Sequence, residues 1–155
     1  MGTDSKQYLT PEGRARLQDE LTELTSVRRK EIAEALKRAI EEGDLSENFG
    51  YSETKRQQAM LEGRIQELQT LLANAVVLEA SSSSSAGLGS TVQIQEAGQP
   101  VETYQIVGPA EASPRLGRIS HESPLGHSLL GHHAGDNVEI QTPGGTRRIT
   151  IISIG

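Results

Sequence analysis

Glu41-Glu42-Gly43-Asp44-Leu45-Ser46-Glu47-Asn48 separates two long apolar stripes, and the way it is read decides the fold. On its amino-terminal side Leu17, Leu21, Leu24, Val27, Ile32, Leu36 and Ile40 recur at steps of three to five, a spacing that gathers them on one face of a helix. Thr10-Pro11 supplies the start of that helix, with a hydroxyl to cap exposed N–H groups and a proline preset for the first helical position, and Gly43 stops it. On the carboxy-terminal side Leu61, Ile65, Leu68, Leu72 and Ala75 follow steps of four, three, four and three, the seam of a coiled coil. Only about six residues separate the helices, so the stripes can meet only by folding back antiparallel. Helices of this length predict a hairpin on the order of 45 Å long. Extended backward, the second stripe lands on Gln58, Thr54 and Tyr51, so the seam weakens toward the turn.

Past residue 79 the pattern changes. Residues 80–89, Ala-Ser-Ser-Ser-Ser-Ser-Ala-Gly-Leu-Gly, read as a flexible connector. The period then becomes two, at Val92 and Ile94, Tyr104 and Ile106, Val138 and Ile140, and Ile149 and Ile151, with Gly or Pro between the runs. Ser123-Pro124 opens a short helix through Leu130 that Gly131 can close, and Thr142-Pro143-Gly144-Gly145 joins the last two strands as a hairpin. The predicted class is α+β: an antiparallel helical hairpin over residues 1–79, a connector at 80–89, and a small domain of antiparallel strands with one helix at 90–155.

Composition narrows the functions available. The 155 residues hold no cysteine, which removes disulfides and thiolate chemistry, and no apolar run approaches the roughly 18 residues that cross a bilayer. A cytoplasmic protein is expected. The formal charge of -6 is the wrong sign for gripping nucleic acid through its phosphates, so a nucleic-acid role would need a carrier. Residues 1–79 carry 11 basic and 15 acidic side chains, leaving the second half nearly neutral.

Four carboxylates stand within seven residues at the turn: Glu41, Glu42, Asp44 and Glu47. Each has an ordinary reading, with Glu41 and Glu42 solvating a helix end, Asp44 or Ser46 capping the next helix and Glu47 favouring its positive end. As a set they are harder to account for, because two acids at the carboxy-terminal end of a helix face the negative end of its dipole. Clustered carboxylates are also what Mg²⁺ uses, with one or two in its inner sphere and water completing the octahedron. Lys37-Arg38 and Lys55-Arg56 flank the turn and can either solvate the helices or steer an anion. His121, His127, His132 and His133 match no closed metal site and read as loop residues.

Gly43-Asp44-Leu45-Ser46-Glu47-Asn48 followed by Tyr51 and Lys55 resembles the hairpin-tip motif of the bacterial Gre transcript-cleavage factors. Leu9-Thr10-Pro11-Glu12-Gly13, Val27-Arg28-Arg29 with Glu31-Ile32, and Glu62-Gly63-Arg64-Ile65 resemble the same family. In the second half so do Ile106-Val107-Gly108, Ile119-Ser120 with Ser123-Pro124, Leu129-Leu130-Gly131, Gly135-Asp136 and Thr142-Pro143-Gly144-Gly145. The resemblance implies a coiled coil joined to an FKBP-like domain that docks at the rim of RNA polymerase's secondary channel, with the segment Ser123-Pro124-Leu125 at the docking surface. It implies that Asp44 and Glu47 help hold a second Mg²⁺ and place the water that cuts the 3′ end of backtracked RNA. Lys55 and Tyr51 would position that RNA, and the polymerase would supply the first metal. The chain is then a monomeric accessory factor with no nuclease activity of its own.

The sequence departs from the family in three places. Phe49-Gly50 replaces the usual Ala-Glu, Ile40 stands where arginine is common, and Lys30 stands where proline is usual. An inhibitory branch of the family keeps the architecture and pauses or blocks polymerase with an altered tip; retention of both Asp44 and Glu47 favours cleavage. A prolyl isomerase would need an aromatic pocket, and Tyr104 is the sole aromatic from residue 80 onward. A scaffold pairing laterally with other helices should show a second apolar stripe, and residues 14–42 show one.

Overall fold

A computed structural model describes residues 6–43, 48–80 and 84–155. Their elements are β1 (Gln7–Leu9), α1 (Pro11–Glu23), a π-helical turn (Leu24–Arg28), α2 (Arg29–Glu41), α3 (Phe49–Ala73), β2 (Ala75–Val77), β3 (Thr91–Glu96), β4 (Glu102–Val107), β5 (Arg118–Ser120), α4 (Pro124–Leu129), β6 (Asn137–Thr142) and β7 (Gly145–Ile154). Contacts divide the chain into two compact units, Arg14–Asn74 and Met1–Gly13 with Ala75–Gly155. The expected boundary at residue 79 falls inside the second unit.

The first unit is the predicted helical hairpin. Ile32, Leu61 and Ile65 form its buried cluster, with Leu21 and Leu24 packed against them, and Leu68 is fully buried. Two members of the predicted stripe are not in the seam, since Val27 is 47% and Ile40 49% exposed while Ala39 is buried. The π turn explains the first. Leu17, Leu21 and Leu24 keep helical steps, but Leu24 to Ile32 spans eight residues, one more than two turns of a coiled-coil helix. A π turn absorbs that extra residue and moves Val27 outward. The local chemistry favours it: the hydroxyls of Thr25 and Ser26 donate to the carbonyls of Leu21 and Thr22 at 2.9 and 2.6 Å, drawing those carbonyls out of the regular ladder.

Two bidentate pairs, Arg29–Glu62 and Arg64–Glu20, cross between the helices at 2.8 Å. Exposed pairs of this kind contribute little because water and salt screen them, whereas emptying a core site costs about 2–5 kcal/mol. Urea unfolding should therefore show Ile65→Ala far more destabilised than Arg64→Gln; the reverse order would contradict a seam held by apolar burial.

α3 ends one step earlier than the stripe suggests. Asn74 caps it, and Ala75, expected as its last apolar position, begins β2, which pairs in parallel with β1. The second unit's main sheet has the order β5-β4-β3-β7-β6. The four alternating runs become β3, β4, β6 and β7 as expected, and Thr142 pairs with Gly145 across the predicted hairpin. β5 was not predicted, and it lies parallel to β4, so the sheet is not wholly antiparallel. Val92, Ile94, Ile106, Ile119, Val138, Ile140, Ile149 and Ile151 point to one face, where Leu129 of α4 covers them.

The described part of the serine-rich connector is not free. Ser85 bridges to His133, the Ala86 N–H donates to His132 O at 2.8 Å, the Gly131 N–H donates to Ala86 O at 2.9 Å, and Ala86 joins the core. Residues 80–89 read as spacer from sequence because nothing in their composition shows that a neighbouring loop will hydrogen-bond Ser85 and Ala86. Residues 81–83 lie outside the described residues.

Candidate functional site

The end of the helical hairpin is built from both helices. α2 ends at Glu41, Glu42 is its carboxy-terminal cap, and Gly43 takes φ +124°, a conformation that L side chains rarely adopt. Asp44 and Glu47, the predicted metal-holding pair, lie outside the described residues together with Leu45 and Ser46. The chain is described again at Asn48, whose side chain does two things. Its Oδ1 accepts from the Tyr51 N–H at 3.0 Å, capping α3, and its Nδ2 donates to Ala39 O at 2.6 Å, tying α3 to the last turn of α2. The cap of α3 is therefore Asn48, not Asp44 or Ser46. Sequence reasoning quoted Asn48 without giving it a role, although its place immediately before a helix was the signal.

Tyr51 is half-buried, and Lys55, one helical turn further on, is exposed with its Nζ donating to Gln58 Oε1 at 3.1 Å. Glu53 and Arg56 are paired with each other at 2.6 Å, and that hydrogen bond is the leading cause of the lowered Glu53 carboxyl pKa. Arg56 is thus balanced locally, while Lys55, Lys37 and Arg38 are exposed cations near the turn. Glu41 and Glu42 are exposed too.

A second cluster sits on the sheet unit. Ser123 caps α4, accepting from the Gly126 N–H at 3.1 Å while its hydroxyl donates to Ser120 O at 2.7 Å. Pro124 is exposed and Leu125 half-buried against the core. Gly126 packs so closely on Ser120 O that a Cβ would collide with it. Nearby, Tyr8, Leu78, Leu88, His121 and Leu130 line an apolar cavity of about 220 Å³. The Tyr8 and His121 rings meet edge to face at 6.1 Å, and His121 Nε2 is buried without a hydrogen-bond partner among the described residues. Composition hid this cavity, because Tyr8 comes from β1 and Leu78 from just after β2, far in sequence from His121.

The four histidines do not converge. His132 Nδ1 lies 3.3 Å from Asp136, whose carboxyl also accepts from the His133 N–H at 2.8 Å; that backbone bond is the main cause of its lowered pKa. Among the described residues no group of three or more His, Cys, Asp or Glu could hold a metal ion. Nor is any described helix long and apolar enough to cross a membrane.

Two family patterns match the chain end to end: "Transcription elongation factor, N-terminal" over residues 7–77, and "Transcription elongation factor, GreA/GreB, C-term" over residues 81–155. The chain belongs to the GreA/GreB transcription elongation factor family. It is 48% identical over 156 residues to the transcription elongation factor GreA of Chloroflexus aurantiacus, with 98% of this chain and 99% of that protein covered. The GreA of Bacillus cytotoxicus is 46% identical over 157 residues, with 99% of each chain covered. Among solved structures, GreA factor homolog 1 (Gfh1) of Thermus thermophilus is 33% identical, covering 97% of this chain and 99% of that one, with a TM-score of 0.46. Within this Gre chain Asn48 caps α3 and Tyr51 and Lys55 lie in its first two turns, while Ser123 caps α4 and Pro124 and Leu125 begin it.

Proposed function

We propose that this Gre factor enters the secondary channel of RNA polymerase and stimulates Mg²⁺-dependent cleavage of the 3′ end of backtracked RNA, rescuing arrested complexes. The observation that carries this reading is the turn between α2 and α3: a stretch of four carboxylates in seven residues, closed by a side chain that locks both helix ends. Asn48 does the capping, so Asp44 and Glu47 are not needed for it. The sheet unit is the docking part, with Ser123-Pro124-Leu125 at the contact.

Asp44 and Glu47 are hard oxygen donors of the kind Mg²⁺ prefers, and two carboxylates are too few to hold it without the polymerase. When bound, the ion supplies Lewis-acid stabilisation of charge at the scissile phosphate. The chain's own part is to bring anionic ligands to a place where RNA phosphates would otherwise repel them, with Lys55 and Tyr51 positioning the RNA. In the reaction the oxygen of water bonds to phosphorus, the P–O3′ bond breaks, and the upstream RNA recovers a 3′ hydroxyl. The factor is an accessory to polymerase and is expected to cut no RNA alone.

The test is incubation of backtracked elongation complexes with the protein and Mg²⁺. Release of short 3′ fragments is expected. Slowed elongation with no fragments would overturn the cleavage reading and support channel-blocking inhibition, which the exposed Ile40 and Phe49 at the tip would then explain.

A further inference from the structure

Phe49 is the chain's one phenylalanine, stands first in α3 and is 81% exposed. Phenyl rings are ordinarily buried, and no neighbouring described residue covers this one. Asn48 is engaged in its two hydrogen bonds, Gly50 has no side chain, and Glu41, Glu42 and Gly43 are exposed. Among the described tip residues the ring is an exposed flat apolar surface beside polar and acidic side chains, with Ile40, 49% exposed, the other exposed large apolar group.

Two kinds of partner could use it. A protein-docking hot spot sits inside a rim of further contacts that exclude water, and the described residues beside Phe49 offer no such rim. A lone aromatic among polar groups is instead how single-stranded nucleic acid is held, since any base can stack on the ring whatever its edge. The exposed Lys37, Arg38 and Lys55 add local attraction for phosphate on a chain whose net charge is -6.

We propose that Phe49 is a stacking platform for a nucleobase of the backtracked RNA and thereby positions the scissile phosphate. This rests on the functional reading above and deepens it. The experiment places the fluorescent base 2-aminopurine at the RNA 3′ end of a backtracked elongation complex and adds the full-length factor. The unaltered protein and Phe49→Trp should quench the fluorescence. Phe49→Ala and Phe49→Leu should not, and both should release fragments about 10-fold more slowly, with unchanged affinity for polymerase. Quenching does not require cleavage, so quenching without fragments would sink the cleavage reading and leave the stacking intact. Wild-type cleavage rates and wild-type quenching in Phe49→Ala would overturn the proposal. So would a Phe49→Leu variant that works normally while Phe49→Ala fails, because that pattern marks an apolar contact with polymerase.

Discussion

Asp44→Asn should lower fragment release from backtracked complexes by about 100-fold or more while polymerase affinity and unfolding midpoint stay at their wild-type values. The size follows from the lost Lewis-acid assistance, which is worth several kcal/mol of transition-state stabilisation, with each 1.36 kcal/mol equal to tenfold in rate. The separation of chemistry from folding follows from the position of the cap. Asparagine and aspartate cap helices about equally well, so the exchange would be mild even at a cap. The Tyr51 N–H is in any case satisfied by Asn48 at 3.0 Å, so α3 keeps its start. Glu47→Gln should behave the same way. Asn48→Ala should do the opposite, costing about 1 kcal/mol of stability because it removes the cap and the tie to Ala39. A loss of less than about threefold in Asp44→Asn would contradict the assigned role.

The second large effect is structural. Glu111 is 6% exposed, and its carboxylate accepts from the Thr10 N–H at 2.8 Å, from the Thr10 hydroxyl and from the Gly108 N–H at 3.4 Å. The Thr10 hydroxyl oxygen in turn accepts from the Gly13 N–H at 3.0 Å, capping α1. Residues 101 apart in sequence thus form one buried network within the sheet unit, to which Thr10 and Gly13 belong. Gly13 and Gly108 are part of it, because a Cβ at Gly13 would collide with the Glu111 carboxylate and one at Gly108 with Tyr8 O. Glu111→Ala leaves buried donors unmatched and should cost about 2–4 kcal/mol, read as a lowered urea midpoint, with Glu111→Gln recovering part of it. A change below about 1 kcal/mol would show that the network contributes little.

Local patterns were legible. The hairpin, the four long strands, the Ser123 cap and the Thr142–Gly145 turn each rest on periodicity or capping chemistry within a few residues, and each is present. What escaped depends on partners distant in sequence. The β1–β2 pair joins residues 7–9 to 75–77, and three-residue runs carry too little pattern to announce a strand. Glu111 reads as one more surface acid until Thr10 is beside it. The π turn was visible in principle, since the eight-residue step from Leu24 to Ile32 breaks the seven-residue rhythm. At the tip, the place of Asn48 before a helix hinted at a cap, but its tie to Ala39 and the exposure of Phe49 show only in the structure. Asp44 and Glu47 rest on sequence and chemistry alone.

The most direct measurement is the Mg²⁺ dependence of fragment release from backtracked polymerase, with the unaltered factor and with the Asp44→Asn/Glu47→Gln double variant bound to saturation. The factor should lower the Mg²⁺ concentration needed for half-maximal cleavage, and the double variant should return it to the value of polymerase alone. Identical Mg²⁺ curves for the factor and its charge-neutral variant would show that these carboxylates hold no ion.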